Sequence, residues 1–180
     1  MRRPKTELVL GGQTMVQRQI RLLGSVCRSV AVLGPPEKLQ GLPVPVFADD
    51  FPDRGPLAGI YTGLRRSQTE FNLFVSCDMP FLEVRFLPYL CQRALDTEAD
   101  VTVLETRGQE YQPLCAVYRR RAPWAIRTSL VAGENKVSRC FSRVCGQVIP
   151  WREIARAGFA ARIFVNMNAL EEYDAARRRF

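Results

Sequence analysis

Asp78 closes the apolar run Phe71-Asn72-Leu73-Phe74-Val75-Ser76-Cys77, and Pro80 stops any regular ladder two residues later. A carboxylate delivered to the carboxyl end of a buried strand stands where open α/β sheets bind ligands, which makes Asp78 a candidate metal ligand. An aspartate that only caps the turn after a strand has the same spacing. The chain contains no histidine, so Ser-His-Asp and Cys-His mechanisms and imidazole metal ligation are excluded. What remains is chemistry run on carboxylate, lysine, arginine, amide and backbone groups, and phosphoryl or nucleotidyl transfer is chemistry of that kind.

Other stretches converge on the same chemistry. In 49–67 a polar turn tightens through Gly55-Pro56 and becomes an amphipathic helix. Gly55, Pro56 and Leu57 form the helix entry, where glycine permits close backbone approach and the helix N-terminus favours anions. A plain helix start reads the same way. Asp50 and Asp53 fit solvated turn residues, and Arg54 suits either a phosphate or solvent. Downstream, Gln112 opens one apolar run and Asn166 and Asn168 interrupt another. Asn166 and Asn168 have the same parity, so an extended segment would turn both to one side; asparagines that form a turn before a last helix are the alternative.

The elements that must position these residues alternate. Helices are expected over 14–24, 56–66, 84–95, 122–132, 136–144 and 171–179. Strands are expected over 29–33, 44–47, 71–77, 100–106, 113–119, 147–151 and 163–165, with a turn at Arg107-Gly108. Strands alternating with helices imply βαβ units and an α/β fold with a mostly parallel sheet covered on both faces. A length of 180 residues suits one domain spanning 1–180.

The apolar runs are far shorter than the ~20 residues of a membrane helix. Met1-Arg2-Arg3 is followed by no apolar segment of the kind a signal peptide needs, so a cytoplasmic location is expected. The six cysteines form no C-x-x-C pair and read as reduced core thiols. A net charge of +8 attracts polyanions. No interleaved aromatic and basic stripe points to nucleic acid, so a small phosphorylated substrate is at least as good a partner. Arg119-Arg120-Arg121 and Arg177-Arg178-Arg179 read as solvated ends of elements.

Taken in order, these stretches resemble the molybdenum cofactor guanylyltransferases of the MobA-like nucleotidyltransferase superfamily. The family pattern RMGxxK meets Met1 to Lys5. D-x5-GPLAG meets Asp49 and Gly55-Pro56-Leu57-Ala58-Gly59, and CDxPF meets Cys77-Asp78-Met79-Pro80-Phe81. QPL-x-ALY meets 112–118, AGE meets 132–134, and N-x-N-x-x-E meets Asn166, Asn168 and Glu171.

The resemblance implies a Rossmann-like three-layer sandwich of the nucleotidyltransferase type. It implies transfer of GMP from GTP to molybdopterin or Mo-molybdopterin, with Mg²⁺ on Asp78 and Lys5 on phosphate. Asp49, Gly55, Pro56, Leu57, Gln112, Asn166 and Asn168 then complete the site, and other molybdenum cofactor assembly proteins are possible partners. The resemblance also implies that the chain begins inside the family's glycine-rich nucleotide loop, with Arg2 in place of a glycine and the first interior strand not represented. Leu33 stands where many relatives have a nucleotide-contacting Asn. A cytidylyltransferase of the same superfamily and a non-catalytic MobA-like binding protein are the alternatives; the Gly55-Pro56-Leu57-Ala58-Gly59 turn favours GTP.

Overall fold

The computed structural model describes residues 9–133 and 145–167. The expected helices over 136–144 and 171–179 lie outside them, as do Lys5 and Asn168. The described chain opens on a hairpin of β1 (Val9–Leu10) and β2 (Gln13–Thr14), which the sequence reading passed over. Gly11 and Gly12 turn it with φ of 57° and 79°, the doubly positive conformation that tight hairpins require.

Helix α1 (Met15–Gly24) starts one residue later than expected, because Thr14 is its cap. The Thr14 hydroxyl accepts the Gln17 amide at 3.3 Å and the Gln17 side chain accepts the Thr14 amide at 3.0 Å, a reciprocal box that satisfies two otherwise orphaned donors. Strands β3 (Val32–Leu33) and β4 (Val46–Phe47) shrink to a short parallel pair. Helix α2 (Pro56–Arg66) has the expected bounds, with Pro56 at its first position and Arg65 and Arg66 in its last turn, where cations suit the helix dipole.

Next come β5 (Phe71–Val75), α3 (Phe86–Leu95), β6 (Val101–Leu104), β7 (Cys115–Arg119), α4 (Pro123–Val131) and β8 (Gly146–Ile149). The main sheet has the order β5-β7-β6-β8. Because β7 is antiparallel to both β5 and β6 while β6 and β8 are parallel, three of the four strands point one way. The reversal of β7 follows from the tight connection after β6, where the Thr106 amide donates to Glu110 O at 2.8 Å and Gln109 takes φ 62°. Strands β3 and β5 stand in separate sheets, both beneath α2: a Cβ on Gly63 would lie 2.7 Å from Phe74 and 2.9 Å from Leu33.

Strand alternation builds two cores. Val101, Val103, Ala116 and Tyr118 face α2 and α4, packing with Leu57, Ile60, Leu64 and Ile126. Leu104, Cys115 and Val117 face the other side, where Phe86, Leu87 and Leu90 of α3 meet Met79 and Leu82. Helices thus cover both faces of a mostly parallel sheet.

Two expected strands are corrected. The one over 147–151 ends at Ile149, because Pro150 offers no ladder donor and instead precedes α5 (Trp151–Arg156). The one over 163–165 is a 3₁₀ turn, Ala161–Phe164. Its neighbours Ile163 and Phe164 are both buried in one cluster, which a strand's alternation forbids. Two surface readings also change. Cys145 is exposed beside β8, and of the described cysteines only Cys115 is buried. Arg119 is not a solvated end: its side chain is 11% exposed, pairs with Glu70 at 3.2 Å and Glu98 at 3.4 Å, and covers the Phe71 ring at 4.6 Å.

Candidate functional site

Asp78 sits three residues past β5, in a turn held from several directions. The Ser76 amide prolongs the β5–β7 ladder by donating to Leu114 O at 2.7 Å. The Ser76 hydroxyl then donates to Asp78 Oδ1 at 2.6 Å. The Asp78 carbonyl accepts the Met167 amide at 2.7 Å. From α1, buried Gln19 donates to Met79 O at 2.8 Å and Arg18 Nε donates to Pro80 O at 3.0 Å. These bonds fix a half-buried carboxylate.

Two candidate residues lie beside this turn. Asn166 precedes Met167, and its Oδ1 is buried with no hydrogen-bond partner among the described residues. A buried acceptor left unmade costs about 1–3 kcal/mol, so an unpaired amide oxygen next to Asp78 is suited to a ligand or a metal-bound water. Gln112 lies just before β7, with its amide on Leu104 O at 2.9 Å and its carbonyl accepting the Cys115 amide at 3.1 Å. Since Val75 pairs with Cys115, Gln112 comes to the same sheet end as Ser76 and Asp78.

The second part of the site lies at the start of α2. Gly55 takes φ 65°, a conformation that disfavours any side chain, and it leads into an 11-residue helix whose Ala58 amide donates to Gly55 O at 3.1 Å. Pro56 is exposed. The Leu57 side chain is fully buried in the core, so its contribution to a ligand is its backbone amide. Asp49 follows β4, with its Oδ1 3.6 Å from where a Gly59 Cβ would stand. A Cβ at 59 would make an ordinary contact with that carboxylate. Asp49 Oδ1 is buried and without a hydrogen-bond partner among the described residues. Burial, and after it the charge of Asp50, pushes the Asp49 carboxyl above its ordinary range. Asp50 points elsewhere, its side chain 3.4 Å from Arg66 and its amide donating to the buried Thr62 hydroxyl at 2.8 Å.

The structure therefore brings Asp78, Gln112 and Asn166 to one end of the sheet and gathers Asp49, Gly55, Pro56 and Leu57 around the start of α2. The sequence reading missed Ser76, although a hydroxyl two residues before an Asp is a recognisable turn signal. It also missed Gln19, whose polar side chain on the buried face of α1 was the available clue. Such an arrangement can orient phosphates on helix amides and hold a cation on a carboxylate.

Comparison with known proteins agrees with this chemistry. The MobA-like NTP transferase domain matches residues 1–148. A Mycobacterium tuberculosis protein named "Probable molybdenum cofactor guanylyltransferase" is 38% identical over 144 residues, covering 77% of this chain and 71% of its own. A Carboxydothermus hydrogenoformans protein of the same name is 26% identical over 170 residues, covering 94% of this chain and 85% of its own. The crystal structure of molybdopterin-guanine dinucleotide biosynthesis protein A from Archaeoglobus fulgidus shares the fold with a TM-score of 0.83 at 19% identity, covering 97% of this chain and 89% of that one.

Proposed function

The chain belongs to the MobA-like NTP transferase family, and from that premise we propose that it transfers GMP from GTP to molybdopterin or Mo-molybdopterin. A terminal phosphate oxygen of the acceptor attacks the α-phosphorus of GTP, the bond to the β-phosphate bridging oxygen breaks, and pyrophosphate leaves. Such displacement needs no protein nucleophile; it needs alignment and neutralisation of developing charge.

The observation that carries this reading is the Asp78 turn, whose carboxylate accepts from Ser76 and whose backbone carbonyl accepts from Met167, beside the unpaired Oδ1 of Asn166. Among the described residues no cluster of three or more histidines, cysteines or carboxylates is present. The oxygen donors of Asp78 and Asn166 fit Mg²⁺, which is commonly held by one or two carboxylates and the substrate phosphates. When bound there, Mg²⁺ supplies charge neutralisation on the phosphate oxygens.

In this reading Asp78 and Lys5 are the catalytic pair, with Lys5 on phosphate. Gly55 and the Leu57 amide cradle phosphate at the helix entry, Pro56 fixes that entry, and Asp49 accepts a hydrogen bond from the nucleoside. Gln112, Asn166 and Asn168 orient the acceptor with neutral amides. The protein works in the cytoplasm, where GTP is abundant, alongside other molybdenum cofactor assembly proteins.

The direct test is to incubate the full chain with molybdopterin, Mg²⁺ and either GTP or CTP, following the dinucleotide by mass spectrometry and pyrophosphate release by a coupled assay. GTP-dependent product with little from CTP is expected. Equal product from CTP overturns the nucleotide assignment. No product and no nucleotide binding leaves a non-catalytic binding protein.

A further inference from the structure

Three consecutive carbonyls of the Asp78 turn each accept a hydrogen from a different remote donor. Asp78 O takes the Met167 amide at 2.7 Å, Met79 O takes the Gln19 side-chain amide at 2.8 Å, and Pro80 O takes Arg18 Nε at 3.0 Å. Two of these donors are neighbours on α1. Loop carbonyls ordinarily meet water or their own turn, so support from so far along the chain sets this turn apart.

Gln19 is the more informative of the two helix donors. It is 4% exposed. One turn earlier on the same face, Met15 is fully buried with Leu10 and Met167, and Phe81 packs against that group. An apolar side chain would fill such a place at less cost, because Gln19 Oε1 is buried and has no hydrogen-bond partner among the described residues. Gln19 thus brings an unmet acceptor into the interior together with the donor that holds Met79 O, and its net contribution to stability is small.

The effect of that donor falls on the residue before Met79. With Asp78 O held by Met167 and Met79 O held by Gln19, the peptide planes on both sides of Met79 are fixed. The first of these planes contains the Asp78 Cα, from which the carboxylate projects. The Met79 side chain is itself fully buried in the core beneath α3, so the turn has little freedom left.

We propose that Gln19 is a positioning residue for nucleotidyl transfer, aiming the Asp78 carboxylate through the Met79 carbonyl. The inference rests on the reading of Asp78 as the Mg²⁺ ligand. Gln19 touches neither substrate nor metal; it acts by holding the ligand at one angle, which raises metal affinity rather than turnover.

The test is titration of the full chain, free of nucleotide, with Mn²⁺ as a paramagnetic stand-in for Mg²⁺, followed by the electron paramagnetic resonance signal of the free ion. Wild type is compared with Gln19→Met, Gln17→Ala and Asp78→Asn. Gln19→Met keeps the length and loses the donor. It removes one unmet acceptor, Oε1, and leaves another, Met79 O, so its melting temperature should stay close to wild type. Its Mn²⁺ affinity should fall about tenfold, the lower end of what outer-shell partners of a metal ligand contribute. Transfer by this variant should recover at saturating Mg²⁺.

Gln17→Ala, at an exposed position of the same helix, should do the reverse. Losing its bond to the Thr14 amide lowers the melting temperature and leaves Mn²⁺ affinity unchanged. Equal Mn²⁺ affinity in wild type and Gln19→Met overturns the proposal, as does an equal loss in Gln17→Ala, which would make the effect one of helix stability. Mn²⁺ binding that Asp78→Asn leaves intact is a separate failure: it removes the metal reading on which the role of Gln19 stands. If Gln19→Met does not melt cooperatively, Gln19→Asn gives the same comparison, since it keeps the amide and shortens its reach by one methylene.

Discussion

Ser76 donates its hydroxyl hydrogen to Asp78 Oδ1 across 2.6 Å, which fixes the rotamer of the only carboxylate in the turn after β5. A hydrogen bond that orients a metal ligand is typically worth about 10–100-fold in metal affinity. Ser76→Ala should therefore raise the Mg²⁺ concentration for half-maximal transfer by about that factor, with turnover recovering at high Mg²⁺. Asp78→Asn should lose turnover by orders of magnitude at any Mg²⁺ concentration while melting normally. Activity of Asp78→Asn within a few-fold of wild type removes this carboxylate from the mechanism.

Asp49 sets binding against stability. Its raised carboxyl pKa, caused by burial and then by Asp50, means that the folded state holds the proton more tightly than the unfolded one. The linked stability is present below the ordinary carboxylate value, about 3.9, and is lost as pH rises through the raised value. Asp49→Asn carries no such loss, so its melting temperature should gain on wild type between pH 4 and pH 7. GTP affinity should fall at the same time. A melting difference that is identical at both pH values contradicts the assignment.

Gly63 is a packing glycine. An added Cβ would stand 2.7 Å from the Phe74 ring and 2.9 Å from Leu33, closer than atoms pack. Overpacking of this kind costs about 1–3 kcal/mol, and Gly63→Ala should show it in urea unfolding. Adding Phe74→Leu should cost less in the Gly63→Ala background than in wild type, because the ring edge is the obstacle. Strictly additive costs would mean that the backbone moves instead.

The thiols should sort by burial. Burial pushes Cys91 to about 11 and Cys115 to about 12, so little thiolate exists at pH 8. Iodoacetamide should label exposed Cys145 well before either, as peptide mass spectrometry would show. Fast labelling of Cys115 in the folded protein would be incompatible with its buried place in β7.

How far the sequence carried depended on whether a signal was local. Helix α2 was legible to the residue because Gly55-Pro56 starts it and its apolar positions fall on one face. The strand misassigned near 163 was an apolar run too short to distinguish period 2 from a turn; only the joint burial of Ile163 and Phe164 decides. Asp78 was legible from Pro80 and the apolar run before it. Its clamp was not, since Gln19 and Met167 approach from sequence separations that no local pattern records.

The bond from the Met167 amide to the Asp78 carbonyl makes one proton a reporter for the site. That amide is shielded only while the segment carrying Asn166 stays docked on the turn, so its exchange with deuterium measures local opening rather than global unfolding. A nucleotide or metal ion gripping both residues must slow that exchange by its binding free energy. Occupancy can then be followed at a single backbone position, in the absence of any turnover.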